Sequence, residues 1–334
     1  MSTLAQWPSH QLCLSQSQRQ HAVRATELAF ARTLTSLQID IGLVRILESI
    51  YVPMAAWVVE RQERLKRPMV LGINGAQGAG KSTLSNLLEI ILGTGFGKRV
   101  AVFSIDDLYR TRAEREALAR EVHPLLMTRG VPGTHDVQLG LQVIESLKSA
   151  APMQATKIPV FDKSIDDRCD PIFWQEWEGA ADVIIFEGWC VGATPQDDAE
   201  LVTPLNSLEQ DQDPEQIWRT YVNDQLKGQY AELFAEIDAT VMIKVPSMEA
   251  VYSWRTQQEQ KLAERVQMMG THHATEGLRI MNTEQIRQFI MHYERITRHV
   301  LTEMPSRADV TLYLNHYHQI AQVQVAPRRM SWPD

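Results

Sequence analysis

One stretch limits what this 334-residue chain can fold into: Gly75-Ala76-Gln77-Gly78-Ala79-Gly80-Lys81-Ser82, followed by Thr83. It fills every fixed position of G-x-x-x-x-G-K-[ST]. The glycines let backbone N–H groups close around a chain of phosphates, Lys81 reaches the β- and γ-phosphates, and Ser82 offers a hydroxyl to Mg²⁺. Such a loop must open a helix, because the helix's free N–H groups and positive dipole end face the anion. Both flanking elements are legible. Met69 to Ile73 is an apolar run after Pro68, and Leu84, Leu87, Leu88 and Ile91 recur at i, i+3, i+4, i+7. The pattern predicts strand, loop and helix, with a nucleoside triphosphate bound by residues 75–83.

Four more apolar runs read as strands: Lys98–Ile105, Asp182–Phe186, Ala239–Val245 and Val310–Leu314. Near-continuous runs separated by helical segments predict a parallel sheet covered on both faces. In open α/β sheets the ligand lies beyond the carboxyl ends of the strands. Three ends carry Gly75–Ser82, Asp106-Asp107 and Glu187-Gly188, and these are expected to converge on one site. Phosphoryl transfer needs a phosphate cradle, Mg²⁺, cations for the transferring group and a carboxylate near the acceptor hydroxyl. Asp106 and Glu187 are candidates to contact Mg²⁺, directly or through water, or to orient the acceptor. Asp106-Asp107 equally fits a helix cap, and Glu187 a surface turn. Arg255, with Lys261 or Arg265, lies on a long polar helix, Ser247–Met269, suited to close over phosphates; an exposed, inert Arg255 fits the same pattern.

The net charge of -8 argues against nucleic acid as the main ligand, which needs a basic surface. Three cysteines far apart give neither a disulfide framework nor a CxxC metal site, and ten histidines show no metal-ligand spacing. The first residues lack a secretory pattern, and no run is read as a membrane span, so the expected compartment is the cytoplasm. Residues 1–20 read as loosely ordered and about 22–67 as two or three helices interrupted near Pro53. Together they form a helical extension (1–67) packed on a nucleotide domain (68–334) whose lid spans about 247–280. Thr194–Gln216, with its EQDQDPEQ segment, reads as a surface loop whose charges are solvated. His272-His273 reads as loop, and Trp174 and Trp177 as packing.

Beyond the loop, five segments stand in a distinctive order: GINGAQGAGKST, SIDDLY (Ser104–Tyr109), RGVPGTHD (Arg129–Asp136), IPVFDKSIDDRCDP (Ile158–Pro171) and IIFEGWCVG (Ile184–Gly192). With Trp254, Arg255, Gln258 and Glu259 of a later W-R-x-x-Q-E element, this order resembles the D-glycerate 3-kinases of plant and fungal type. Those enzymes are close to the phosphoribulokinase, uridine kinase and pantothenate kinase group. The resemblance runs from about Pro68 to Leu314. It implies a three-layer P-loop fold of the kinase type, with five parallel strands in the order 2-3-1-4-5 and helices on both faces.

The resemblance also implies roles. Asp106 would be the general base and a neighbour of the metal, and Glu187 would join Ser82 at Mg²⁺. Arg255 would contact phosphates beside Lys81. Asp107, Tyr109, His135, Asp136, Lys163 and Arg168 would approach the acceptor, and the two cations suit an anionic one. Ile165 and Asp166 bridge the Lys-Ser and Asp-Arg elements more tightly than in the plant enzymes. The expected activity is ATP- and Mg²⁺-dependent phosphorylation of a small-molecule hydroxyl, first of all D-glycerate to 3-phosphoglycerate. The rivals are a pantothenate- or uridine-kinase-like enzyme and an ATP-dependent regulatory switch. No N-K-x-D guanine-reading motif is present.

Overall fold

The computed structural model describes residues 5–268 and 281–327. Its centre is a six-stranded sheet: β1 (Met69–Gly75), β2 (Val100–Ser104), β3 (Val183–Gly188), β4 (Ala239–Lys244), β5 (Val310–Leu314) and β6 (Ile320–Val325). The spatial order is β2-β3-β1-β4-β5-β6. β1 to β5 run parallel, and β6 returns antiparallel along β5. The sequence reading has five strands. The sixth escapes it because Ile320–Val325 alternates exposed Gln322 and Gln324 with buried Val323 and Val325, the signature of an edge strand rather than of a buried run. β1 and β3 are buried at every position, which is why they read as continuous apolar segments.

Among the described residues ten α-helices accompany the sheet: α1 (Gln16–Ser36), α2 (Val52–Leu65), α3 (Lys81–Ile90), α4 (Arg112–Glu121), α5 (Val137–Ser149), α6 (Ser207–Gln212), α7 (Ile217–Lys227), α8 (Gln229–Ala235), α9 (Met248–Met268) and α10 (Thr283–Glu303). Alternation along β1 divides the core. Met69, Leu71 and Ile73 face a layer containing α1, α2, α3 and the start of α9. Val70 faces the layer of α5, α7, α8 and part of α10. The expected stripe on α3 is there, with Leu84 4% exposed and Leu87, Leu88 and Ile91 fully buried.

Three expectations need correction. The segment before residue 20 is ordered from Trp7 onward: Trp7 packs edge-on against Trp57 at 6.3 Å, and Ser15 starts α1 with a capping box closed by Gln18. Such a cap is worth ~1 kcal/mol, and a polar composition conceals it. Thr194–Gln216 is not simply a solvated loop. Glu209 and Asp213 are buried and hold Arg295 at 2.6 Å and Arg219 at 2.9 Å, so these charges stitch α6 to α7 and α10. Finally, Ile41–Leu65 is long and apolar enough by composition to cross a membrane, although 61% of that stretch's apolar window is buried inside the fold. Pro53 sits in the first turn of α2, directly after a π-helical turn, Leu47–Tyr51.

Candidate active site

The register of the three central strands aligns the site. Ser104 of β2, Glu187 of β3 and Ile73 of β1 lie side by side, so the residues that follow each leave the sheet at one level. After β1 the chain enters the glycine loop. Gly80, at φ 94°, turns it into α3 through a left-handed step that a side chain would strain. Asn74 fixes the loop's entrance by donating from Nδ2 to the carbonyls of Trp189 (3.2 Å) and Val191 (2.8 Å). Lys81 heads α3 with its Nζ 3.3 Å from the Ala76 carbonyl. The loop of residues 75–83 therefore lies at a helix start with its lysine folded back over it, the arrangement a polyphosphate requires.

Ser82 Oγ donates to Glu187 Oε1 at 2.7 Å, while Glu187 Oε2 is buried with no hydrogen-bond partner among the described residues. An orphaned carboxylate oxygen beside a hydroxyl suits a hard cation. Among those residues no group of three His, Cys, Asp or Glu side chains could hold a metal unaided. The donor set therefore fits Mg²⁺ carried mainly by phosphate oxygens, with Ser82 and Glu187 as protein partners. Glu187 is 6% exposed, so it is not a surface turn.

The two acids after β2 take different positions. Asp107 turns back to accept from the Ser104 amide at 3.1 Å and closes a capping box. Burial pushes its carboxyl up to about 6, helped by the charges of Asp106 and Glu187 and opposed by the Ser104 N–H. Asp106 instead accepts from Tyr109 Oη at 2.6 Å on Oδ1 and from Lys163 Nζ at 2.7 Å on Oδ2. Burial works against its charge, but the Lys163 ammonium, the Tyr109 hydroxyl and the charge of Lys81 outweigh it and bring the carboxyl to about 2. Lys81 thus makes itself felt at Asp106. The phosphate cradle and the candidate base belong to one site.

RGVPGTHD folds over this site through the pairing of Tyr109 with His135. Gly130 (φ 124°) is required there, since a Cβ would lie 2.2 Å from the Tyr293 hydroxyl. The His135 ring stacks on Tyr109 at 4.9 Å, and its Nδ1 lies 2.5 Å from Tyr230 Oη. That hydroxyl also accepts from the Gly133 amide at 3.0 Å. Burial lowers the His135 imidazole to about 3, which keeps it neutral. Nε2 is buried and unpartnered among the described residues. Asp136 caps α5 by accepting from the Leu139 amide at 3.1 Å, and its Oδ2 accepts from Arg168 at 3.2 Å. Arg168 also donates to the Tyr109 carbonyl at 2.9 and 3.2 Å, so Arg168 and Asp136 brace the wall rather than project into it.

Lys163 is carried by a hairpin of Phe161–Asp162 and Asp167–Arg168. The hairpin's turn residue, Asp166, has φ 58° and is pinned by Arg129 and by the buried Arg115, whose Nη2 lies 2.6 Å from its carbonyl and 3.0 Å from its carboxylate. Arg255 points along α9 to Glu259 and donates to Gln258 at 3.2 Å, while its helix neighbour Trp254 packs against Gly78. The helix touches the cradle, but the arginine is engaged elsewhere. The side chains of Lys261 and Arg265, lid residues 269–280 and the His272-His273 pair lie outside the described residues.

Asn74, Tyr230, Arg115 and Arg129 are the site-building residues that sequence reasoning did not assign. Asn74 and Arg129 lie within quoted motifs and were within reach. The others have only tertiary signals.

No family model matches the chain. It is 34% identical over 235 residues to "Uncharacterized kinase mug58" of Schizosaccharomyces pombe, covering 68% of this chain and 79% of the relative. It is 30% identical over 279 residues to the chloroplastic D-glycerate 3-kinase of Arabidopsis thaliana, covering 78% of this chain and 56% of that longer protein. The solved D-glycerate 3-kinase of Cryptococcus neoformans superposes with TM-score 0.68 at 27% identity, covering 82% of this chain and 98% of the other. The chain belongs to the ATP-dependent P-loop kinases of small molecules, in the family that includes the D-glycerate 3-kinases.

Proposed function

We propose that the protein transfers the γ-phosphoryl group of ATP to a hydroxyl of D-glycerate, giving 3-phosphoglycerate. The observation that carries this reading is Asp106, held between the Tyr109 hydroxyl and the Lys163 ammonium within reach of the Lys81 charge. A carboxylate beside the cradle is positioned to take the acceptor's proton as the oxygen attacks. An ammonium at the same point suits an acceptor with its own carboxylate. Residues 75–83 hold the phosphates, and Lys81 stabilises charge on the transferring group. Ser82 and Glu187 would hold Mg²⁺, which when bound neutralises charge on the phosphate oxygens. His135, buried and neutral, stacks on Tyr109 in the wall of the site. Arg255 enters this reading as a phosphate contact made when it leaves Glu259. The names of the Arabidopsis and Cryptococcus relatives support D-glycerate as the first acceptor to test.

The test is ADP release from Mg²⁺–ATP with D-glycerate, L-glycerate, pantothenate, uridine or no acceptor. Strong stimulation by D-glycerate alone is expected. Stimulation by another compound would replace the acceptor, and a flat panel would remove the kinase reading of Asp106.

A further inference from the structure

A general base must be free to receive a proton, and in this structure both oxygens of Asp106 are engaged, by Tyr109 at 2.6 Å and Lys163 at 2.7 Å. The two partners differ. Tyr109 is 4% exposed and packed between His135 and Phe161. The Lys163 side chain is 59% exposed. The hairpin that carries Lys163 is held by other residues: Asp166 by Arg115 and Arg129, Asp167 Oδ1 by the Arg112 amide at 3.0 Å, and Phe161 by burial. The ammonium can therefore leave Asp106 while its hairpin stays in place. Exposed ion pairs contribute little to stability, and a lysine's flexible stem readily exchanges one anion for another.

We propose that Lys163 masks Asp106 until an acceptor with an anionic group beside its hydroxyl draws the ammonium away, so that one side chain selects hydroxy acids and withholds the base from water. The inference rests on the proposed kinase reading and adds a reason for its selectivity. A hydroxy acid brings the charge that lifts the mask; a neutral polyol or a water molecule does not. Once Asp106 is uncovered, the acceptor's hydroxyl proton passes to it. A bond forms between that oxygen and the γ-phosphorus as the bond to the ADP oxygen breaks, and Lys163 remains protonated on the acceptor's anion. The same transfer to water would waste ATP as ADP and phosphate.

The test compares the full chain with Lys163→Met and Lys163→Arg, measuring ADP release from Mg²⁺–ATP alone, with glycerol and with D-glycerate. In Lys163→Met the acceptor-free and glycerol rates should rise about tenfold, a fraction of what a positioned base supplies, while kcat/KM for D-glycerate falls by a similar factor. Lys163→Arg, which can still pair with Asp106, should keep the acceptor-free rate low. If Lys163→Met loses D-glycerate turnover without a rise in acceptor-free hydrolysis, Lys163 only binds substrate and the mask is refuted. The two ideas fail separately. Unmasked hydrolysis in the variant with no glycerate response in the wild type keeps the mask and removes the acceptor. A glycerate response with no unmasking does the reverse.

Discussion

Asp106 and Asp107 are adjacent acids whose surroundings drive them in opposite directions, one to about 2 and the other to about 6. The sequence permitted either to be a cap or a site residue. Only the turn after β2 assigns Asp107 to the backbone and Asp106 to Lys163, because that depends on which way each side chain leaves the turn. His135 was legible as part of a motif, but its state was not. Its neutral form comes from burial, against partners such as Tyr230, 95 residues away in sequence. This has a consequence for acid stability. In the unfolded chain the imidazole binds a proton near pH 6.5, but in the folded chain not until about pH 3. The unfolded state thus holds more protons between those values, and stability must fall as pH drops through them. Asp107, raised on folding, acts with the opposite sign between about pH 4 and 6. Comparing wild type with His135→Gln in urea titrations isolates the histidine. The variant should lose less stability than wild type between pH 6.5 and 4, and equal slopes would refute a buried neutral His135.

Elements with one repeated signal were readable, and those held by a single distant contact were not. The periodic α3 and the buried β1 and β3 came directly from apolar spacing, because each buries a whole face. β6 and the Lys163 hairpin are short or one-sided, and their patterns resemble loops. The segment around α6 is the clearest case. Its acidic composition suggests solvent, yet Glu209 is fully buried, with Arg295 donating to both carboxylate oxygens at 2.7 and 2.6 Å. No local rule reveals that an arginine 86 residues later enters the same space. Glu209→Ala leaves that buried guanidinium without its anion and should cost about 3–5 kcal/mol in chemical denaturation. A change below about 1 kcal/mol would mean the pair is solvated after all, as surface pairs are.

At the scale of the molecule, strand order gathers segments far apart in sequence at one end of the sheet. β3 lies between β2 and β1, and so Glu187 reaches Ser82 while Asp106 feels Lys81. The N-terminal helices α1 and α2 share the core beneath α3, so the cradle rests on packing contributed by residues before β1 as well as after it. The family was legible because the chemistry-bearing loops retain their motifs in order; the bracing residues were not, because many side chains can brace a wall. On the proposed reading this scaffold passes phosphate to a small hydroxyl acceptor through Asp106. The most direct measurement is ³¹P NMR of Mg²⁺–ATP and D-glycerate incubated with wild type and with Asp106→Asn. A phosphomonoester growing in step with ADP in the wild type, and slowed about a hundredfold or more in the variant, is the predicted result. Inorganic phosphate as the sole new signal, or an unslowed Asp106→Asn, would contradict it.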